Sequence, residues 1–221
     1  MSGTIQIQAS DGHRLDACLA LPAGTPRGGL LVVQEAFGVN AYVRSVCETF
    51  AAEGYAALAP ALYDRQQRGA AFDDESEASL AKARPLRAGL QWDKVLLDVA
   101  AAADTLARYG RVGIVGYCVG GSVAWLAAAA LRLSAASCYY GRDIVGFLDR
   151  KPRCPTILHF GERDHFIPQD DVARIRAGCP DIPCYVYPAG HGFDAVRAPG
   201  DAEAARLARE RTLELFRQHI G

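Results

Sequence analysis

The sequence predicts an α/β fold in which a mostly parallel, doubly wound sheet carries helices on both faces. From Leu30 onward, short apolar runs typical of buried strands alternate with longer stretches of helical periodicity. Before that point, the segments 4–8 and 14–20 alternate in period two around an Asp-Gly turn, which predicts an antiparallel hairpin at the edge of the sheet. Alternation of strands and helices along a chain is the pattern of a parallel sheet with crossover helices.

The predicted elements follow one another closely except in one place. Strands are expected at 29–33, 56–58, 112–117, 136–140, around 157 and around 186. Helices are expected at 41–53, 92–108, 122–131, 170–177 and 202–219. The polar stretch 64–89 is the long excursion, and we interpret it as a helical lid or rim. The chain of 221 residues is therefore expected to form a single α/β domain over 1–221.

The run Val-Gly-Ile-Val-Gly-Tyr-Cys-Val-Gly-Gly at 112–121 carries the most specific chemical signal. It predicts a buried strand that enters Gly-x-Cys-x-Gly and then an apolar helix, which is the nucleophile-elbow spacing with cysteine where serine is usual. Gly116 and Gly120 would remove clashes at the sharp turn, and Cys118 would lie beside a helix N-terminus that favours a thiolate. Buried structural cysteines and phosphate-binding turns give similar patterns, so the motif alone leaves both readings open.

An acid and a histidine follow the cysteine along the chain. The β-rich run 155–160 leads into the loop that holds Asp164, and the run 183–187 leads into the loop that holds His191. Cys118, Asp164 and His191 thus each follow the C-terminal end of a predicted strand, where the active sites of open α/β sheets collect. The order nucleophile, acid, histidine is that of the α/β-hydrolases.

Other residues compete for two of these roles. Glu162 lies in the loop of Asp164 and is the alternative acid. His165 is the alternative base, but it adjoins Asp164, and sequence neighbours rarely pair as acid and base, so His191 is the expected base. His159 lies within a predicted strand and is expected in the core.

Four motifs make the chain similar to the dienelactone hydrolase (carboxymethylenebutenolidase) family of α/β-hydrolases. They are Gly-Tyr-Cys-Val-Gly-Gly at 116–121, Val-Gln-Glu-Ala-Phe-Gly-Val-Asn at 33–40, Ala-Pro-Ala-Leu-Tyr at 59–63 and Gly-His-Gly-Phe at 190–193. The resemblance runs over nearly the whole chain. It implies a small single-domain hydrolase that opens lactone, ester or related acyl bonds without a cofactor.

The resemblance also implies roles for individual residues. These are nucleophile for Cys118, base for His191, orientation of the histidine for Asp164, and an oxyanion hole for the backbone N–H groups of Ala36 and Val119. Glu35 matches the family glutamate that contacts the resting thiol and moves away when substrate enters. The residues themselves also favour a rim position for Glu35, because it follows the apolar run 29–33 that is typical of a central parallel strand.

Aromatic residues beside these positions are expected to line an apolar substrate pocket; they are Phe37, Tyr139, Tyr140 and Phe193. Members that cleave dienelactones resemble one another in two arginines that grip the substrate carboxylate. In this chain Ser76 and Ala195 fall at those places, so the carboxylate clamp is absent or rebuilt. Arg197 and Arg84 are the candidates to pair with an anionic substrate, because an unpaired carboxylate in such a pocket is costly to desolvate.

Composition argues against several other classes of protein. The net charge is −1, which lacks the basic balance of a nucleic-acid-binding protein. No apolar run reaches the roughly twenty residues that span a bilayer, and the polar start differs from a signal peptide. The seven cysteines include no C-x-x-C pair, which indicates neither a zinc site nor a thioredoxin-type motif.

We therefore expect a cytoplasmic, monomeric enzyme that acts on a small ester or lactone, with no metal, cofactor, nucleic-acid or membrane partner. A general carboxylesterase or thioesterase with another substrate is one alternative. A thiol sensor or binding protein, in which Cys118 reacts but turns nothing over, is the other.

Overall fold

A computed structural model describes residues 2–73, 76–195 and 201–221. Over these residues one sheet is built from eight strands. The strands are β1 (Ser2–Gln8), β2 (Arg14–Ala20), β3 (Gly29–Val33), β4 (Ala56–Pro60), β5 (Val112–Tyr117), β6 (Ala135–Tyr139), β7 (Thr156–Gly161) and β8 (Cys184–Tyr187). The helices are α1 (Ala41–Ala52), α2 (Glu77–Ala88), α3 (Trp92–Leu106), α4 (Val119–Ala130), α5 (Gln169–Gly178) and α6 (Asp201–His219).

The strand order confirms the predicted architecture. The sheet runs β1-β2-β4-β3-β5-β6-β7-β8, and every neighbouring pair from β4 to β8 is parallel. β2 is antiparallel to both β1 and β4, so the N-terminal hairpin forms the antiparallel edge. In its turn Gly12 has φ of 85°, which glycine adopts without steric cost.

Element boundaries differ from the predicted ones by a few residues. The largest difference is at α4, which begins at Val119 instead of 122 because it starts directly after the turn at Cys118. β4 extends to Pro60, and β6 covers 135–139. α3 ends at Leu106, and a short 3₁₀ turn follows it.

The central strands of the sheet are buried on both faces. β3, β4, β5, β6 and β7 are buried along their whole length, as expected for parallel strands covered on both faces. α4 is buried from Val119 to Ala129, and its Trp125 has no exposed surface. None of the described helices is long and apolar enough to cross a membrane.

The excursion at 64–89 packs against the loop that follows β3. An antiparallel bridge joins Gly38 to Ala71, and the backbone N–H of Phe72 donates to the carbonyl of Phe37 at 2.9 Å. On α2, Leu80, Arg84 and Arg87 line a cavity together with Cys118 and His191, which follow strand ends. The segment therefore contributes side chains to the rim described below.

His159 lies at the centre of a buried polar network, as its position in a strand predicts. Its Nδ1 lies 2.9 Å from the Tyr187 hydroxyl, and its Nε2 lies 3.2 Å from Thr212 Oγ1. Thr212, on α6, also lies 2.8 Å from the hydroxyls of Ser137 and Tyr139 on β6. Burial, together with the charge of nearby Arg211, lowers the pKa of His159 to about 3. The ring is therefore neutral at physiological pH.

We expect this histidine to make stability depend on pH. The unfolded chain binds a proton below about pH 6.5 that folded His159 does not bind, so the free energy of unfolding should fall as the pH drops from about 6.5 towards 3. His159→Gln lacks this histidine and its pH dependence. The difference in the free energy of unfolding between wild type and His159→Gln should therefore become smaller as the pH falls. Urea unfolding at several pH values measures it, with exposed His165→Gln as the control. A difference in unfolding free energy that stays constant with pH would contradict the lowered pKa of His159.

Candidate active site

Cys118 occupies a tight strand-to-helix turn between β5 and α4. Its φ of 55° and ψ of −119° are unusual for a residue with a side chain, and such strain costs on the order of 1–3 kcal/mol. A Cβ atom on Gly116 would overlap the carbonyl of Gly120, and one on Gly120 would overlap the carbonyl of Val33. The turn therefore requires glycine at both places, as the elbow motif predicts.

Asp164 lies in the loop that follows β7, with its side chain fully buried. Its Oδ1 accepts the backbone N–H groups of Phe166 at 2.8 Å and Ile167 at 3.1 Å. Its Oδ2 accepts from Nδ1 of His191 at 2.7 Å. The two backbone donors fix the carboxylate, and the carboxylate fixes both the orientation and the tautomer of the imidazole ring.

His191 lies in the loop that follows β8, between the rings of Tyr140 and Phe166 at centroid distances of 4.9 and 5.0 Å. Burial lowers its pKa, but the hydrogen bond to Asp164 and the interactions with the Cys118 sulfur and the Asp164 charge together outweigh burial and raise the pKa to about 10. Because Nδ1 is bound to Asp164, Nε2 is the ring nitrogen left to interact with the Cys118 sulfur. The imidazolium form is therefore favoured at neutral pH, next to the sulfur.

Glu35 lies in the loop that follows β3, and only 3% of its surface is exposed. The hydroxyl of Tyr140 donates to Glu35 Oε1 at 3.4 Å. The loop itself is held from two sides: Gln34 Nε2 donates to the Glu35 carbonyl at 3.3 Å, and the Tyr63 hydroxyl donates to the Ala36 carbonyl at 2.9 Å. A buried carboxylate is thus fixed at the rim that Cys118 and His191 share.

A cavity of about 360 Å³ opens onto these groups. It is lined by Glu35, Ala36, Phe37, Leu80, Arg84, Arg87, Cys118, Arg142, Phe166 and His191. Arg87 forms an ion pair with Asp143 at 3.0 Å. Within the described part of the chain, Arg84 and Arg142 have no ion-pair partner. The cavity thus combines apolar walls with positive charge.

The structure corrects the expected composition of the pocket. Phe37 and Arg84 line the cavity, but Tyr139 and Phe193 are core residues. Tyr139 points to the face of α6, where its hydroxyl meets Thr212, because successive side chains along a strand alternate between faces. Phe193 has no exposed surface. Tyr140 is also fully buried and does not line the cavity. It contacts two residues that do, Glu35 through its hydroxyl and His191 through its ring.

The two positions that match the family's carboxylate-gripping arginines serve local structure here. The hydroxyl of Ser76 caps α2 by accepting the N–H of Ser79 at 3.2 Å, and Ala195 closes a 3₁₀ turn. Arg197 lies outside the described residues.

Sequence reasoning missed four residues that line the cavity: Leu80, Arg87, Arg142 and Phe166. Two of them carried a usable signal. Arg142 follows the C-terminal end of β6, and Arg87 lies three residues after Arg84 on the same helix face. Among the described residues, no cluster of three or more histidine, cysteine, aspartate or glutamate side chains could hold a metal ion.

A mostly parallel sheet with these residues at its strand ends is the fold of an α/β-hydrolase. The sequence profile of the Dienelactone hydrolase family matches residues 15–220. The chain therefore belongs to the dienelactone hydrolase family, as its motifs indicate, and it is a hydrolase.

Individual relatives agree with this assignment. The chain is 36% identical over 224 residues to the carboxymethylenebutenolidase of Pseudomonas putida, a match that covers 96% of this chain and 94% of that protein. It is 34% identical over 227 residues to the carboxymethylenebutenolidase of Pseudomonas sp. strain P51, covering 97% and 94%. A crystal structure titled "Putative Dienelactone Hydrolase from Klebsiella pneumoniae subsp. pneumoniae MGH 78578" superposes with a TM-score of 0.85 at 31% identity, covering 99% of this chain and all of that one (100%).

Asp164→Asn should lower the pKa of His191, because an amide lacks the carboxylate charge while burial still favours the neutral ring. An NMR titration of the His191 ring proton on Cε1 measures this pKa. Glu162→Gln is the matched control, since its exposed side chain lies in the same loop. An equal or larger change in the control would show that Glu162, not Asp164, governs the histidine.

Proposed function

We propose that this hydrolase cleaves a small carboxylic ester or lactone through a thioester formed on Cys118. The observation that carries the proposal is the 2.7 Å hydrogen bond between Asp164 and His191 beside Cys118, whose sulfur lies on a strained turn and shares one cavity with the histidine. A nucleophile, a base and a group that orients the base are the three parts of acyl-transfer catalysis by a side chain.

In the first half-reaction the Cys118 thiolate attacks the carbonyl carbon, and the π electrons move to the carbonyl oxygen. The backbone N–H groups of Ala36 and Val119 stabilise this oxyanion. Val119 opens α4, where N–H groups lack intrahelical partners and the helix dipole is positive. When the tetrahedral intermediate collapses, the C–O bond breaks, His191 gives its proton to the leaving oxygen, and a thioester remains.

In the second half-reaction His191 is neutral and takes a proton from water. The hydroxide so formed attacks the thioester carbon, and the C–S bond breaks. The products are a carboxylic acid and the regenerated thiolate with its imidazolium partner. For a lactone, the acid and the alcohol stay in one molecule.

Glu35 controls the thiol in the absence of substrate. Its buried carboxylate shares the cavity with Cys118, and a negative charge there disfavours a second one on sulfur. The imidazolium of His191 acts in the opposite direction. The balance between these two charges sets how much of the resting sulfur is thiolate. A low thiolate fraction limits oxidation of the sulfur before substrate arrives.

The charges of the cavity favour a substrate that is itself an anion. Arg84 and Arg142 face the cavity together with the apolar side chains of Phe37, Leu80 and Phe166. Such walls suit an unsaturated acyl group that bears a carboxylate, because the guanidinium groups can pair with it. The relatives' name, carboxymethylenebutenolidase, describes a substrate of this kind. Here the carboxylate contact is rebuilt on Arg84 and Arg142.

Cys118→Ala should abolish hydrolysis, with kcat falling by at least about 10³-fold because the covalent step is lost. A panel of p-nitrophenyl esters, lactones and thioesters measures it. Buried Cys138→Ala is the matched control and should keep its activity. Turnover of any of these substrates by Cys118→Ala at the wild-type rate would overturn the proposal, and a wild-type protein that is alkylated at Cys118 but releases no product would indicate a thiol sensor.

Arg84→Ala and Arg142→Ala should each lower kcat/KM for a lactone that carries a free carboxylate by about 10- to 100-fold, the loss expected for a charged hydrogen bond. The neutral methyl ester of the same lactone should be affected little. Arg108→Ala is the control, because Arg108 precedes β5 at the opposite edge of the sheet. Equal turnover of acid and ester, unchanged by both substitutions, would indicate a general esterase.

A further inference from the structure

Tyr140 shares an unusual backbone conformation with Cys118. Among the described residues other than glycine, these two alone have positive φ, at 36° and 55°. Such strain persists only where the surroundings hold it, and it concentrates at functional sites. Tyr140 directly follows β6; its N–H donates to the carbonyl of His159 at 2.7 Å, and none of its surface is exposed.

The strained turn places the Tyr140 side chain between two loops of the site. Its hydroxyl donates to Oε1 of Glu35 in the loop after β3. Its ring packs against that of His191 in the loop after β8. The neighbouring Tyr139 is equally buried, but its hydroxyl contacts Thr212 on the other face of the sheet. The two adjacent tyrosines therefore differ in what their hydroxyls hold.

We propose that Tyr140 is a positioning residue whose hydroxyl holds the charged Glu35 carboxylate beside Cys118 and thereby restrains the reactivity of the resting thiol. This inference rests on the proposed roles of Cys118 and Glu35. A hydroxyl that donates to a buried carboxylate stabilises its charged form and fixes its direction. The negative charge then opposes formation of a thiolate at Cys118.

The packing of the ring alone does not require the hydroxyl. Phenylalanine would fill the same space, and a buried hydroxyl without a partner is costly. What the hydroxyl adds at this position is its hydrogen bond to the Glu35 carboxylate. Among the described residues, the other charged or titratable groups around the thiol are His191, Arg84, Arg87 and Arg142 in the cavity, and Tyr63 behind it. The substitution Tyr140→Phe alters none of these residues.

The test measures the rate at which iodoacetamide alkylates Cys118 between about pH 5 and pH 9, in the range where thiols titrate. Trypsin releases the peptide 112–132, in which Cys118 is the single cysteine, so mass spectrometry follows this thiol apart from the other six. The proteins compared are wild type, Tyr140→Phe, Glu35→Gln, the double variant and the control Tyr139→Phe.

Tyr140→Phe should be alkylated about 2- to 10-fold faster than wild type at neutral pH, the factor expected for one hydrogen bond, and its rate profile should shift to lower pH. Glu35→Gln should do the same, and the double variant should be no faster than Glu35→Gln, because Tyr140 acts through Glu35. Tyr139→Phe should match wild type.

A Tyr140→Phe rate equal to that of Tyr139→Phe, or an acceleration that adds to that of Glu35→Gln, would overturn the inference. Alkylation needs no turnover, so the hydrolysis assay of Cys118→Ala decides the proposed function separately. If Cys118→Ala is inactive but the alkylation rates of the Tyr140 and Glu35 variants differ from those expected, only the role proposed for Tyr140 is wrong. If Cys118→Ala still hydrolyses substrate, the proposed function is wrong whatever the alkylation rates are.

Discussion

The close approach of α4 to the ends of β3 and β5 is the constraint on which the site depends. The helix begins one residue after β5 ends, and there is no space for a side chain at Gly116 or Gly120. This contact seats the first turn of α4 against Val33, at the end of β3. The sulfur of Cys118 and the loop of Glu35 consequently meet at one point of the rim. Every other group of the site is placed relative to that point.

Fully buried His159 and partly buried His191 show how neighbouring groups decide the charge of a histidine. Burial alone would make both rings neutral. His159 is surrounded by hydroxyl groups, which satisfy its nitrogens without supplying negative charge, and its pKa is lowered. His191 faces a carboxylate and a thiol, and its pKa is raised. The same residue type therefore serves as a neutral link inside the sheet and as a cation at the rim.

The sequence predicted those parts of the site that local patterns encode. Cys118, Asp164 and His191 lie within a few residues of strand ends, so the order of elements alone brings them together. Tyr139 was misplaced because its face is set by the strand, not by its nearness to the rim. Arg142 carries a local signal because it follows a strand end, but its place in the cavity also depends on how α2 approaches the turn after β6, a long-range contact marked by the Arg87–Asp143 ion pair.

One wall of the cavity comes from a part of the chain that holds none of the reacting groups. Leu80, Arg84 and Arg87 come from α2, which belongs to an excursion outside the sheet and is tied to it by the half-exposed Arg87–Asp143 pair. This placement separates the size and charge of the entrance from the turn at Cys118, which lies between β5 and α4. The residues that set what the cavity accepts and the residues that carry the chemistry are thus encoded in separate segments of the chain.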